Sequence, residues 1–385
     1  MQTNLLSKNI KTLIITNIPA PYRIPLWNIL AQQVDLTLYF MSYTEINRKW
    51  NILLDKSRFK FKILKGIHLP LRKGEFTLHF NYSIFTELKK NNFDIIICGS
   101  YDSVTVLLAV LYAKLKRKKI VLWYESVKQS ALIKKGILYN LKRTIINMFD
   151  KYLVPGHAAK DNLLSFGINE DAIFIAPNSV DNKLYFKAKL KKNNSLVNKY
   201  PRKNILFVGS FVKRKGIKYL IDAYENLCFK EEIGLIIVGD GVLSNELKQY
   251  CLGKGLKNVF FEGYKNQEQL CEYYGFCDVL VLPSFLEVWG LVVNEAMAAG
   301  MPIICSKYAG CAPDLVIHGE NGYIIDPEDT ETFSKYLSNI LNNTQLQKSM
   351  GLKSLEIIKN YTPQKTADGF LRCIDTIKND IISRK

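Results

Sequence analysis

The chain has 385 residues, about half of them hydrophobic, which is enough for two domains with buried cores. No run of about 18 uncharged apolar residues occurs, so a spanning helix is not expected; the eight cysteines form no C-x-x-C and only four histidines accompany them, which argues against zinc and for small buried thiols. The net charge of +18 is uneven: Lys and Arg outnumber Asp and Glu by 26 to 12 over residues 1–180 and by 8 to 1 over 181–203, but are outnumbered 19 to 22 over 204–385.

In chain order, "KTLIITNI" reads as a strand, "PLWNILAQQ" as a helix and "DLTLYFM" as a strand. The runs "FDIIICGS", "KIVLWYES" and "KYLVPGH" follow with helical segments between them. This alternation predicts a parallel sheet flanked by helices. After "IFIAPNSVDNKLYF" comes a polar, lysine- and asparagine-rich stretch that reads as a linker over 179–203. A second series, "NILFVGSF", "IGLIIVGDG", "VFFEGY", "DVLVLPS", "PIICS" and "GYIID", predicts a second doubly wound domain over 204–360. The expected organisation is therefore a first domain over 1–178, the linker, the second domain and a helical tail over 361–385. In such sheets ligands bind beyond the carboxyl ends of the strands, and two facing halves would share one cleft.

Two stretches of the second half carry chemistry. In "FVGSFVKRKGIKYL", Lys213, Arg214 and Lys215 stand just before a helix whose free N–H groups attract anions. A diphosphate suits such a site; a solvated charge run is the plainer alternative. In "VLVLPSFLEVWGLVVNEAMAAG", Glu287 lies in a loop, and Glu295 lies in the second turn of a helix that is apolar almost all round. A buried carboxylate needs donors, and ligand hydroxyls or backbone amides would supply them. An internally capped or salt-bridged pair is the alternative. The amides of Gly290, Leu291 and Val292 open the same helix.

These residues resemble the E-x7-E signature of retaining glycosyltransferases with the GT-B fold, family 4. "VGSFVKRKG", "VGDG", "FEGY", "GMPII", "GCAPDLVIHGENGYIID" and "PNSVD" fall in that family's order. The resemblance covers the second half strongly, and the first half mainly through "NIPAPYRIPLWNIL" and "WYES". It implies an α/β architecture of two Rossmann-like domains facing a cleft. It also implies transfer of a sugar from a UDP- or GDP-sugar to a glycan or lipid-linked acceptor in surface polysaccharide or lipopolysaccharide synthesis. Glu295 would hold ribose hydroxyls, Glu287 the transferred sugar and Lys215 the diphosphate, with the Gly290–Val292 amides helping. Tyr264 would lie near the base. Many members carry Arg after the strand glycine where this chain has Ser210, so Arg214 or Lys213 would supply the second cation. No D-x-D occurs, and no metal or other cofactor is expected.

On the acceptor side, Tyr22 and Arg23 stand in a proline-stiffened loop. Glu125 ends a strand, as an acceptor contact or a base. His157 opens a helix as a cap-region residue. "SVTVLLAVLYAKLKRKK" is apolar and then basic: it fits either a core helix with a solvated end or a helix resting on lipid phosphates. With no cleavable leader read at the N-terminus, the expected location is cytoplasmic, peripheral to the inner face of the membrane. A sugar-nucleotide epimerase or a phosphorylase on the same fold is an alternative, as is a basic nucleic-acid-binding protein, although no nucleic-acid motif occurs.

Overall fold

The computed structural model describes residues 10–45, 54–71, 76–130, 136–189 and 194–383. It divides into two compact units, one of residues 1–178 with 363–385 and one of 179–362. The first unit contains β1 (Lys11–Thr16), β2 (Asp35–Phe40), β3 (Lys60–Ile63), β4 (Ile67–Leu71), β5 (Phe76–Phe80), β6 (Ile95–Cys98), β7 (Lys119–Trp123), β8 (Lys151–Val154) and β9 (Ile173–Ile175). Seven of these form a parallel sheet in the order β3-β2-β1-β6-β7-β8-β9, and β4 and β5 form a separate antiparallel hairpin. The second unit contains β10 (Lys203–Val208), β11 (Ile233–Val238), β12 (Val259–Gly263), β13 (Val279–Leu282), β14 (Ile303–Ser306) and β15 (Gly322–Ile325). They run in the order β12-β11-β10-β13-β14-β15, all parallel.

Both sheets reverse direction beside their first strand, so each has a switch point of the doubly wound kind. The central strands are apolar without alternation because helices cover both faces: β6, β11, β13 and β14 are buried along their whole length. Because the strands of each sheet are all parallel, the loops that follow them lie at one edge of that sheet.

Two sequence expectations change. The segment read as a linker forms helices at Asn182–Lys189 and Asn194–Lys199 within the second unit; residues 190–193 lie outside the described residues. Tyr185 is fully buried there, among residues of the second core, so a polar-looking stretch is anchored by single large side chains. The expected tail is a helix, Pro363–Ile382, that belongs to the first unit. Its apolar face (Ala367, Phe370, Cys373, Ile374 and Ile377) joins the core around Trp27 and Trp123, with Phe370 edge-on to Trp123 at 4.9 Å. Gly369 allows this close seating, since a Cβ there would lie 2.4 Å from the Ile175 carbonyl oxygen.

The helix Val104–Leu115 buries Thr105, Val106, Ala109, Val110, Tyr112 and Ala113, with Ser103 capping its start through Val106 N at 3.1 Å. It is a core helix, yet Leu111 and Leu115 remain 49% and 67% exposed beside the basic run that follows. Among the described residues no helix is long and apolar enough to cross a membrane. All eight cysteines are free, and seven of them are buried.

The returning helix yields a test. Phe370→Ala removes a fully buried ring and should cost the first unit about 3–5 kcal/mol. Hydrogen exchange should then quicken in 363–382 and in β7 to β9, with the strands of the second unit unchanged.

Candidate functional site

The second unit gathers the expected donor residues at the carboxyl edge of its sheet. After β10 the chain passes Gly209 and makes a short 3₁₀ turn, Lys213–Lys215, before the helix Ile217–Glu225. Gly216 joins turn to helix at φ 68°, and a Cβ there would lie 2.1 Å from the Pro283 carbonyl oxygen, so only glycine fits. That contact seats the turn against the loop after β13. Phe285 N donates to the Arg214 carbonyl at 2.8 Å, and the Arg214 side chain donates to the Leu286 carbonyl at 3.1 Å.

The same loop holds Glu287, which forms an ion pair with Lys215; both side chains are largely buried. The loop is fixed from its other side by the segment "GCAP". Gly310 N donates to the Glu287 carbonyl at 2.9 Å and Cys311 N to the Trp289 carbonyl at 3.1 Å. The Trp289 indole donates to Asn294 at 2.8 Å. Gly290, at φ 105°, turns the chain into the helix Leu291–Ala298, which no side chain caps. The N–H groups opening that helix have no intrahelical partner and remain able to bind an anion.

Glu295 sits one turn further in. Two phenols donate to it within the protein, which the sequence reading did not foresee: Tyr185 donates to Oε1 at 2.9 Å and Tyr274 to Oε2 at 2.5 Å. Gln267 in turn donates to the Tyr185 oxygen at 3.2 Å. Burial raises the Glu295 carboxyl above its ordinary value, while the two phenols favour the ionised form and oppose that rise. Each carboxylate oxygen can accept more than one hydrogen bond, so the phenols leave acceptor capacity for a ligand.

Of the other expected donor residues, Lys213 is exposed beside this turn, and Arg214 has its guanidinium on the Leu286 carbonyl. Tyr264 follows β12 and is about half exposed. Gly239, at φ 141°, lies so close to Gly209 that a Cβ would come within 1.8 Å of the Gly209 carbonyl oxygen; this packs the loops after β10 and β11 together. The sequence reading missed Tyr185, Tyr274 and Gln267. No local signal marks them, since Tyr185 lies 110 residues from Glu295 and looks like part of a linker.

In the first unit, Arg23 and Glu125 were separate candidates and form one ion pair at 2.8 Å. The Arg23 guanidinium also lies 4.0 Å from the centre of the Trp123 ring and 5.4 Å from that of Tyr22. Burial opposes its charge, but Glu125 and Tyr22 outweigh that and leave its pKa raised. Arg23 Nε is buried without a partner. The pairing gives Glu125 a charged partner. His157 opens the helix His157–Leu164, as its sequence context suggested. Among the described residues no group of three His, Cys, Asp or Glu is placed to hold a metal.

The family model for glycosyl transferases group 1 matches residues 189–356, and that for glycosyltransferase family 4 matches residues 55–184. An uncharacterized glycosyltransferase of Methanocaldococcus jannaschii is 28% identical over 174 residues, 45% of this chain and 48% of its own, so the chain spans about half the length of that relative. The N-acetyl-alpha-D-glucosaminyl L-malate synthase of Bacillus anthracis is 25% identical over 266 residues, 62% of this chain and 68% of that protein. Among solved structures, Anabaena HepE in complex with UDP superposes with a TM-score of 0.76 at 17% identity, covering 95% of this chain and all of that one. The two parallel-sheet units have the architecture of GT-B glycosyltransferases. On two adjoining family matches that take in both units, the chain belongs to the group 1 glycosyltransferases of family 4.

Proposed function

We propose that the chain is a retaining glycosyltransferase that moves a sugar from a UDP- or GDP-sugar to a glycan or lipid-linked acceptor in the synthesis of a surface polysaccharide or lipopolysaccharide. The observation that carries this reading is the cluster of the Lys215–Glu287 pair, the uncapped start of helix 291–298 and the phenol-held Glu295, all on one sheet edge. UDP in the Anabaena relative supports a nucleotide donor.

Lys215 has three N–H bonds, so it can keep Glu287 and also meet a diphosphate oxygen. The amides of Gly290, Leu291 and Val292 take the other anionic oxygens, and Lys213 or Arg214 adds a second positive charge. As the glycosidic bond to the diphosphate breaks, negative charge grows on the leaving group. Fixed cations and amides stabilise it with little reorganisation and without a metal. Glu287 holds hydroxyls of the transferred sugar, Glu295 those of the ribose, and Tyr264 borders the base. Tyr22, Arg23 and Glu125 form the acceptor side. The exposed Leu111 and Leu115 and the basic residues 116–119 would rest on an anionic membrane surface, placing the enzyme in the cytoplasm at the inner face.

Three outcomes test this. Lys215→Ala should lower turnover on the order of a hundredfold or more, and Glu295→Gln should weaken nucleotide binding by about 1.5–3 kcal/mol for each charge-assisted bond lost. Excess EDTA should leave activity in place; loss restored by magnesium or manganese would move the leaving-group role to a metal. A thermal-shift panel of nucleotide sugars names the donor.

A further outcome concerns pH. Tyr274→Phe removes one stabilising donor from ionised Glu295, so the carboxyl pKa rises further and its ionised fraction falls at any given pH. Nucleotide affinity, followed by titration calorimetry, should therefore decline on acidification from a higher pH than in the wild type. Superimposable pH profiles would remove Glu295 from the binding site.

For the membrane, charge reversal of Lys116, Arg117, Lys118 and Lys119 to Glu should release the protein from anionic vesicles without changing donor affinity. Each basic residue contributes at most about 1 kcal/mol, so binding should weaken as salt rises. Wild-type protein that stays in the supernatant of a vesicle sedimentation at low salt would point to a soluble acceptor.

A further inference from the structure

The first unit holds a polar chain that the donor chemistry does not use. The hairpin of β4 and β5 pairs His68 directly with His79. His68 Nδ1 lies 2.9 Å from His79 Nδ1, and His79 Nε2 lies 3.1 Å from Glu45 Oε1. Asn17 Nδ2 donates to the same Glu45 oxygen at 2.9 Å. His79 is only 3% exposed, whereas His68 is half-buried.

The hairpin is anchored over the carboxyl edge of the first sheet. Asn81, at its end, donates to the carbonyls of Met41 at 2.8 Å and Leu64 at 3.1 Å, the residues that follow β2 and β3. Thr105, in the first turn of the helix after β6, bonds both Asn81 and the His79 carbonyl. Asn17 itself follows β1. The chain of polar groups therefore stands at the edge where doubly wound sheets bind ligands.

With both imidazole rings neutral, valence sets the proton positions. An ionised Glu45 only accepts, so His79 must carry its proton on Nε2. His79 Nδ1 is then a lone pair, and the short contact requires His68 to carry its proton on Nδ1. In the neutral ring His68 Nε2 is consequently a lone pair too, and among the described residues nothing hydrogen-bonds it.

We propose that His68 Nε2 is the recognition atom of a saccharide hydroxyl, held as an acceptor by the Glu45–His79–His68 chain. That the hydroxyl belongs to the sugar acceptor rests on the transferase reading; the tautomer does not. Burial, and then His79, lower the pKa of His68, which keeps the acceptor form present near neutrality. Among the described residues, the titratable groups hydrogen-bonded to the two rings are each other and Glu45. Acidification places a proton on His68 Nε2 and turns the acceptor into a donor.

The chain has four histidines, so histidine-selective nitrogen labelling of the full-length protein resolves them, with His68→Gln and His79→Gln assigning two. At slightly alkaline pH, His68 should be the Nδ1–H tautomer and His79 the Nε2–H tautomer. Methyl α-glucoside, methyl α-mannoside and methyl α-galactoside serve as hydroxyl probes. At least one should move the His68 Nε2 resonance toward the protonated range and leave His157 and His318 in place. Glu45→Gln can donate to His79 as well as accept from it, so it should give mixed tautomers at His68 and weaken probe binding about threefold to tenfold. A His68 Nε2–H tautomer in the wild type, or no response of His68 to any of the three glycosides, overturns the proposal. Nucleotide binding in the same sample reports separately on the transferase reading: its loss with an intact His68 response would overturn that reading alone.

Discussion

The ion pair between Lys215 and Glu287 links positions 72 residues apart, and the rest of the donor-side geometry depends on it. It ties the turn after β10 to the loop after β13, two strands that neighbour each other in the sheet. Around it the backbone leaves little freedom. Gly216 must be glycine to pass the Pro283 carbonyl, and Gly290 must be glycine to turn at φ 105° beside Leu282. The result is a cation, a carboxylate and an open helix start arranged within one sheet edge before any ligand arrives. A site organised in this way stabilises developing charge without having to reorganise.

Glu295 shows how the fold tolerates an acid in an apolar helix. Burial alone would favour the neutral form, and two buried phenols oppose that by donating to both oxygens. The tyrosines come from two different elements, one from the helix after residue 181 and one from the helix before β13. Their rings also pack edge to face at 5.6 Å, so the same side chains supply apolar contact and hydrogen bonds. Polar satisfaction and core packing are therefore one feature here, and a change in either tyrosine acts on both.

The first unit uses the same topology for different chemistry. Its strand order matches that of the second unit around the switch point, yet its loops carry an arginine stacked on Trp123 and a pair of histidines on a hairpin. No run of glycines opens its first helix. Proline and a 3₁₀ turn, Pro21–Arg23, do that instead and present Arg23 to Glu125. The fold supplies an edge, and the loop residues decide what that edge recognises.

Much of this was legible in the chain itself. Alternating apolar runs and helical stretches implied two parallel sheets, because strands covered on both faces must be apolar throughout. The lysines before a helix and the two glutamates either side of a helix start marked the donor side, since each is a local pattern in which charge meets free backbone amides. Tertiary structure decided which groups answer those charges. Nothing local told Lys215 from Lys213 as the partner of Glu287, named Tyr185 and Tyr274 as the donors to Glu295, joined Arg23 to Glu125, or set His68 against His79. It also drew the supposed linker into the second unit and the supposed tail into the first. Each of these is a contact between distant segments, and sequence periodicity reports only which face of an element is buried, never what it is buried against.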